Sequence, residues 1–195
     1  MKKFELTTDS IKENGVTLYR IKSLIDFGDV KAGDLGGYVE KEENLSQYGD
    51  AWVSGDARVR GNACVYGDAR VGGNALVCDN AQVSGDARAG GNARVSGNAW
   101  VSGNALVSGD ALVYGDARVG GNARVSGDAR VFGNARVFGN ALVSGNAWVS
   151  GDARVRDNAR VFGNAWVSDN ACVRGDARVG GNARVSGDVD YICLK

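Results

Sequence analysis

AWVSGDARVRGNACVYGD, residues 51–68, is one six-residue unit written three times: Ala, x, Val, x, Gly, then Asp or Asn. The unit runs from Ala51 to Asp188 without an insertion, 138 residues in 23 copies. Ala fills the first slot in all 23 copies and Val the third in 22, Ala89 being the exception. The fifth slot is Gly except at Asp79, Asp157 and Asp169, and the sixth is Asn 14 times and Asp nine times. Residues two apart on an extended chain point to the same side. Ala and Val therefore share one face, and slots two and four share the other. Gly accepts positive φ, and Asn and Asp tolerate the left-handed region better than other residues, so slots five and six read as a corner. A four-residue strand cannot bury its Ala–Val face alone. Coiling stacks identical slots and closes a core. The exchange of Asn for Asp in slot six marks a demand of backbone geometry rather than of chemistry.

The step from Val53 to Ala57, and again from Val59 to Ala63, places a small residue four positions after an aliphatic one. This pattern resembles the transferase hexapeptide family, over about 70% of the chain. The resemblance implies an all-β, left-handed parallel β-helix of triangular section, with three hexapeptides per coil and about eight coils. At about 4.8 Å per strand spacing the rod would be about 37 Å long. A right-handed β-helix of similar section, as in bacterial filament-forming proteins, is the alternative. In either, Ala89 stacks between Val71 and Val107 and leaves the core one side chain short.

Outside the array the chain reads as caps. Residues 1–50 hold an Asn14-Gly15 turn between two strand-like runs, a hairpin signal, followed by a degenerate first coil. In that coil Leu35 and Val39 keep the four-residue step, and Leu45 stands one unit before Ala51. Lys41, Glu42 and Glu43 break the pattern where a polar cap is expected. Residues 51–188 form the β-helix and 189–195 a C-terminal tail or cap, whose Val189, Tyr191, Ile192 and Leu194 can fold over the last coil or add to a partner. An uncapped end would leave strand edges open to other chains.

LYRIKSLIDFGDVKAGDLGGYVEKEENLS, residues 18–46, also resembles the leader of hexapeptide-repeat proteins of enterobacteria and their prophages. These are often labelled acetyltransferases, a label inherited from the fold, and fold does not fix function. Acyltransferases of the wider family use a His base near an extruded loop and hold acyl-CoA between subunits; its carbonic anhydrases need three His ligands for zinc. This chain has no His and no loop. No catalytic, cofactor-binding or metal-ligating residue is therefore assigned, and no cofactor is expected. Corner carboxylates such as Asp110 and Asp128 stack on adjacent coils, but solvated turns explain them better than calcium does. Cys64, Cys78, Cys172 and Cys193 lie far apart with no CxxC pair, which suits reduced thiols rather than a disulfide framework or a zinc site.

Lys plus Arg and Asp plus Glu are each 23, so the net charge is zero, which argues against a globally basic nucleic-acid binder. No apolar run approaches a membrane span, and the opening MKKFELTTDS has no apolar signal core. A cytoplasmic location is expected, with neither membrane nor nucleic acid as partner.

Specificity must lie in the outward slots, which sort by 18 into three faces. The first carries Trp52, Arg70, Arg88, Leu106, Arg124, Leu142, Arg160 and Arg178. The second is the most apolar, with Leu112, Tyr114, Phe132, Trp148 and Trp166 on four successive coils. It reads as an interface for a second copy or another protein, although aromatics also sit well on strands for their own sake. The third turns basic, with Arg118, Arg136, Arg154, Arg156 and Arg174, candidates for gripping an anion. The plainer account is that Arg is the default outward residue and corner aspartates neutralise it. The expected function is a non-catalytic structural or interaction scaffold, bacterial or prophage-encoded, that self-associates laterally, with a trimer ahead of a dimer. An acyltransferase-like or CoA-binding relative, and a phage-derived binder of a host protein or small anionic ligand, are the alternatives.

Overall fold

The computed structural model describes residues 2–192, apart from the side chains of residues 191 and 192. It is a parallel β-solenoid of about eight turns, with three sheets along its length. Two sheets have eight strands each and the third has eleven. Each repeat contributes a short strand, and partners lie 18 residues apart, as in Arg94 with Leu112 and Val95 with Val113. The inward Ala and Val side chains form one continuous buried column from Ala51 to Val179. Ala89 pairs with Val71 on one side and Val107 on the other, and is itself buried. The alternation of Ala and Val thus does what the spacing predicts: it fills a narrow core with side chains too short to clash across it.

The corners explain the Gly requirement. Gly97 has φ +68°, and a Cβ there would lie 2.9 Å from the nitrogen of Gly115 on the next coil. Asp79, Asp157 and Asp169 take the same turn at φ 64°, 62° and 57°. Each places its carboxylate on the N–H of the corresponding glycine one coil on: Gly97 at 3.0 Å, Gly175 at 3.0 Å and Gly187 at 3.2 Å. That bond offsets part of the left-handed strain, about 1 kcal/mol for a residue with a side chain.

Backbone bonding gives the rod a direction. Corner N–H groups donate toward the C-terminal end, as from Asn62 to the Asp79 carbonyl at 2.7 Å and from Asn74 to Gly91 at 2.8 Å. The first coil therefore presents carbonyls to the N-terminal end, and the leader supplies donors for them. Strand β1 (Phe4–Glu13) and strand β2 (Val16–Ser23) make an antiparallel hairpin around Asn14 and Gly15, both at positive φ. Strand β3 (Leu35–Val39) pairs antiparallel with β2 and parallel with the strand at Arg58–Val59. The N–H groups of Tyr38 and Glu40 reach the carbonyls of Ala57 and Val59 at 2.8 and 3.0 Å. The Asn44 amide, in a 3-10 turn at Glu42–Asn44, donates to Gly61 at 3.1 Å and Ala63 at 2.8 Å. Lys3 closes another corner, its ammonium on the Gly49 and Ala51 carbonyls at 3.1 and 2.9 Å and 5.0 Å from the Phe27 ring centroid.

Two details of the leader differ from the expectation. Leu35 is exposed rather than inward, because the chain crosses the core mouth at Gly36 and Gly37. A Cβ at Gly36 would meet Ile21, Val53 and Trp52 within 2.7 Å, so no side chain fits there. Trp52, placed by its slot on the outward first face, is buried under the leader, edge-on to Phe27 at 5.4 Å. At the other end Asp190–Ile192 adds a strand beside Cys172–Arg174. The expected roles of Cys193 and Leu194 fall outside the described residues.

Candidate interaction surface

On the eleven-stranded sheet the 18-residue register stacks Leu112, Arg130, Trp148, Trp166 and Arg184 one above another. Slot four of the same face contributes Tyr114 and Phe132. Rings from both slots join into one ladder. Tyr114 and Phe132 are stacked, with centroids 5.0 Å apart and planes 2° from parallel. Phe132 meets Trp148 edge-on at 6.1 Å, and Trp148 meets Trp166 edge-on at 5.4 Å. Such pairs prefer these offset and edge geometries because the ring quadrupole penalises a face-to-face sandwich. Leu112 shares the face, paired in register with Arg130.

Cations hold both sides of the tryptophans. The Arg130 guanidinium lies 5.0 Å from the Trp148 ring centre and that of Arg184 5.4 Å from Trp166. The Trp166 indole N–H donates to the Ser150 hydroxyl at 3.3 Å. Leu112, Tyr114, Phe132, Trp148 and Trp166 are all half-buried, the four rings shielding one another. The large apolar side chains most open to solvent in the array lie elsewhere: Trp100 and Phe162 at 40% and Phe138 at 37%. What the second face offers is a continuous, pre-ordered aromatic strip, with a shallow hollow at Asn146, Trp148, Asn164, Ala165 and Trp166.

The basic candidates separate. Arg118, Arg136 and Arg154 stack in register on the third face, and all three are exposed, as is Arg156. Arg174 is engaged: its guanidinium grips the Asp190 carboxylate through both Nε and Nη2. Those bonds hold the Asp190 carboxyl below the usual carboxylate range. Several corner aspartates are turned along the rod into amide ladders, as from Asn98 to Asp116 at 2.9 Å and from Asn134 to Asp152 at 3.0 Å. The Asp190 bonds, and after them the Asp157 carboxylate, act on the Arg174 guanidinium and raise its pKa.

Those ladders give slot six a side-chain role beside its backbone one. In each, the Asn amide nitrogen donates to the oxygen of the corner residue 18 positions later. Asn62, Asn80 and Asn98 run to Asp116; Asn74 and Asn92 run to Asp110; Asn104, Asn122, Asn140 and Asn158 run to Asp176. A carboxylate accepts but cannot donate, so Asp ends a ladder and cannot sit within it. Among the described residues no three acidic or thiol side chains gather into a set able to hold a metal ion. Cys64, Cys78 and Cys172 are free thiols, and burial pushes Cys78 up to about 11, which keeps it protonated and inert. No helix of the described residues is long and apolar enough to cross a membrane.

The YdcK beta-solenoid repeat model matches residues 69–85, an overlapping series of stretches across 87–151, and 177–189. The chain is similar to that solenoid family. The matches cover just under half of its length and include Leu112, Tyr114, Phe132 and Trp148, while Trp166 falls between matched stretches. Comparison with curated proteins found no match.

Proposed function

We propose that this protein is a non-catalytic interaction scaffold that self-associates side by side through its aromatic strip. One observation carries the reading: Tyr114, Phe132, Trp148 and Trp166 form an unbroken ladder of ring contacts along one sheet. A strip already ordered in the free subunit loses little side-chain freedom when it is covered, and Trp with Arg is the usual composition of interface anchors. A ring assembly needs two different, complementary patches on each subunit. The strip supplies one. The first face, with Arg124, Arg160 and Arg178, supplies the other, because guanidinium stacks on aromatic rings and gives up its water more readily than ammonium. This favours a trimer over a dimer. The chain mass is 20.3 kDa, so light scattering on an eluting sample should read about three times that value. The Trp148→Asp, Trp166→Asp double variant should elute at the mass of one chain while its β circular dichroism is retained. A wild-type protein that elutes as a single chain at tens of micromolar would refute the reading.

An acyltransferase-like role, and a phage or bacterial origin, would rest on resemblance of sequence alone. The chain has no His to act as base. Binding to acetyl-CoA or CoA in a thermal-shift panel would favour the acyltransferase alternative over a scaffold.

A further inference from the structure

The third face carries a feature that lies apart from the aromatic strip. On the other two sheets apolar side chains limit runs of outward arginine to two coils, as at Arg70–Arg88 and Arg160–Arg178. Arg58, Leu76, Arg94, Leu112 and Arg130 alternate on one, and Leu106 and Leu142 flank Arg124 on the other. Only on the third face do arginines occupy three successive coils, at 118, 136 and 154. Like charges directly opposite one another on a sheet repel, so this placement needs a counter-charge. Among the described residues no carboxylate lies within ion-pair distance of any of the three. Asp116 and Asp152, two residues before Arg118 and Arg154, accept from Asn98 and Asn134 instead, and Asp157, next to Arg156, accepts from the Gly175 N–H at 3.0 Å.

The row is also bounded and has flat neighbours. Arg156, two residues beyond Arg154 on the outward side, adds a fourth exposed guanidinium. Arg174 on the next coil is closed off by Asp190. At the other end Trp100 lies one coil before Arg118, with the Arg118 guanidinium 6.0 Å from its ring centre and its indole N–H bonded to Ser84 at 3.1 Å. Phe138, beside Arg136, has its ring over Gly120, where a Cβ would come within 2.6 Å of it. Trp100 and Phe138 are both well exposed.

The geometry points to an oligophosphate site on this face, built from Arg118, Arg136, Arg154 and Arg156. Guanidinium groups repeat at one coil spacing, about 4.8 Å, so neighbouring arginines can share oxygens of successive phosphates on one chain. A nucleoside attached to the phosphates would find Trp100 or Phe138 to stack on. The site lies on a different sheet from the aromatic strip and stands whether or not the chain assembles.

Titration calorimetry at low salt tests it, with inorganic tripolyphosphate and a nucleoside triphosphate in separate arms. Tripolyphosphate should bind, and binding should weaken as salt rises. Arg136→Gln with Arg154→Gln should cut the affinity by about tenfold or more. The Arg124→Gln, Arg160→Gln control on the first face should bind as the wild type does. Tighter binding of the nucleoside triphosphate, lost on Trp100→Ala, would assign the stacking ring; equal binding of both ligands would leave the phosphates as the whole of the recognition. Thermal melting should show the Arg136→Gln, Arg154→Gln variant no less stable than the wild type, since it relieves repulsion. Absence of tripolyphosphate binding at low salt, or an equal loss in the control variant, would overturn the proposal. The Trp148→Asp, Trp166→Asp variant should still bind, which separates this site from the self-association reading.

Discussion

At the scale of the residue, the array is a record of which slots tolerate change. Ala89 is the one inward exception to Val, stacked between Val71 and Val107. Ala89→Val restores two methyl groups to a buried column and should raise stability by about 1 kcal/mol in denaturant unfolding. A loss of stability would mean that this coil is narrower than its neighbours. The corner amides make a sharper test. Asn140 receives a bond from Asn122 at 3.0 Å and donates one to Asn158 at 3.1 Å. Asn140→Asp can keep the first bond and must lose the second, so it should cost about 0.5–1 kcal/mol at neutral pH, where a carboxylate has no proton to give. The stacking partners of slot six were legible in the sequence at a period of 18, but the direction of the amide bonds between them was not. The role of Lys3 was not: a lysine near the start carries no mark that it will be 2% exposed beneath a hairpin.

At the scale of the element, the leader's task is to end a directional hydrogen-bond ladder. Lys3, Asn44 and β3 each answer carbonyls that the first coil would otherwise leave bare. Burial pulls the Lys3 ammonium down to about 8, with Asp50 opposing. In the unfolded chain it titrates near its ordinary value, about 10.4. Between those values the unfolded state binds more protons than the folded one, so stability should rise with pH from about 8 to about 10.4 and be level below. The difference in denaturant midpoint between wild type and Lys3→Met, followed across that window, isolates the contribution of this residue. A difference that stays constant with pH would contradict it. Removing residues 1–47 bares both the carbonyls and the strand edges, and the remaining array should aggregate. A soluble product of unchanged size would show that the leader is no cap. The hairpin was readable from Asn14-Gly15, because a two-residue turn at positive φ leaves few other choices. The burial of Trp52 was not, because it depends on Phe27 reaching across from a segment with no period of its own.

At the scale of the whole molecule, a solenoid turns sequence order into surface order. Residues 18 apart become neighbours, so the three outward faces could be sorted before any coordinates existed. Sorting placed Leu112, Tyr114, Phe132, Trp148 and Trp166 together, and Arg118, Arg136 and Arg154 in a line. It could not show that slot-two and slot-four rings would join into one ladder, which depends on rotamers as well as register. Nor could it show that Arg174 would be claimed by Asp190, since that pairing needs the tail to add a strand.

Sedimentation equilibrium on two variants, one per face, tests the central claim that the ladder rather than bare exposure makes the interface. Trp100 is the most exposed tryptophan, at 40%, and stands outside the ladder. If exposure alone drove association, Trp100→Asp would dissociate the assembly and Trp148→Asp with Trp166→Asp would not. The ladder account predicts the reverse. Trp100→Asp should sediment as a trimer, as the wild type should, and the Trp148, Trp166 double variant as a folded monomer of 20.3 kDa less the change in its side chains. A trimer that survives the double substitution would contradict the account.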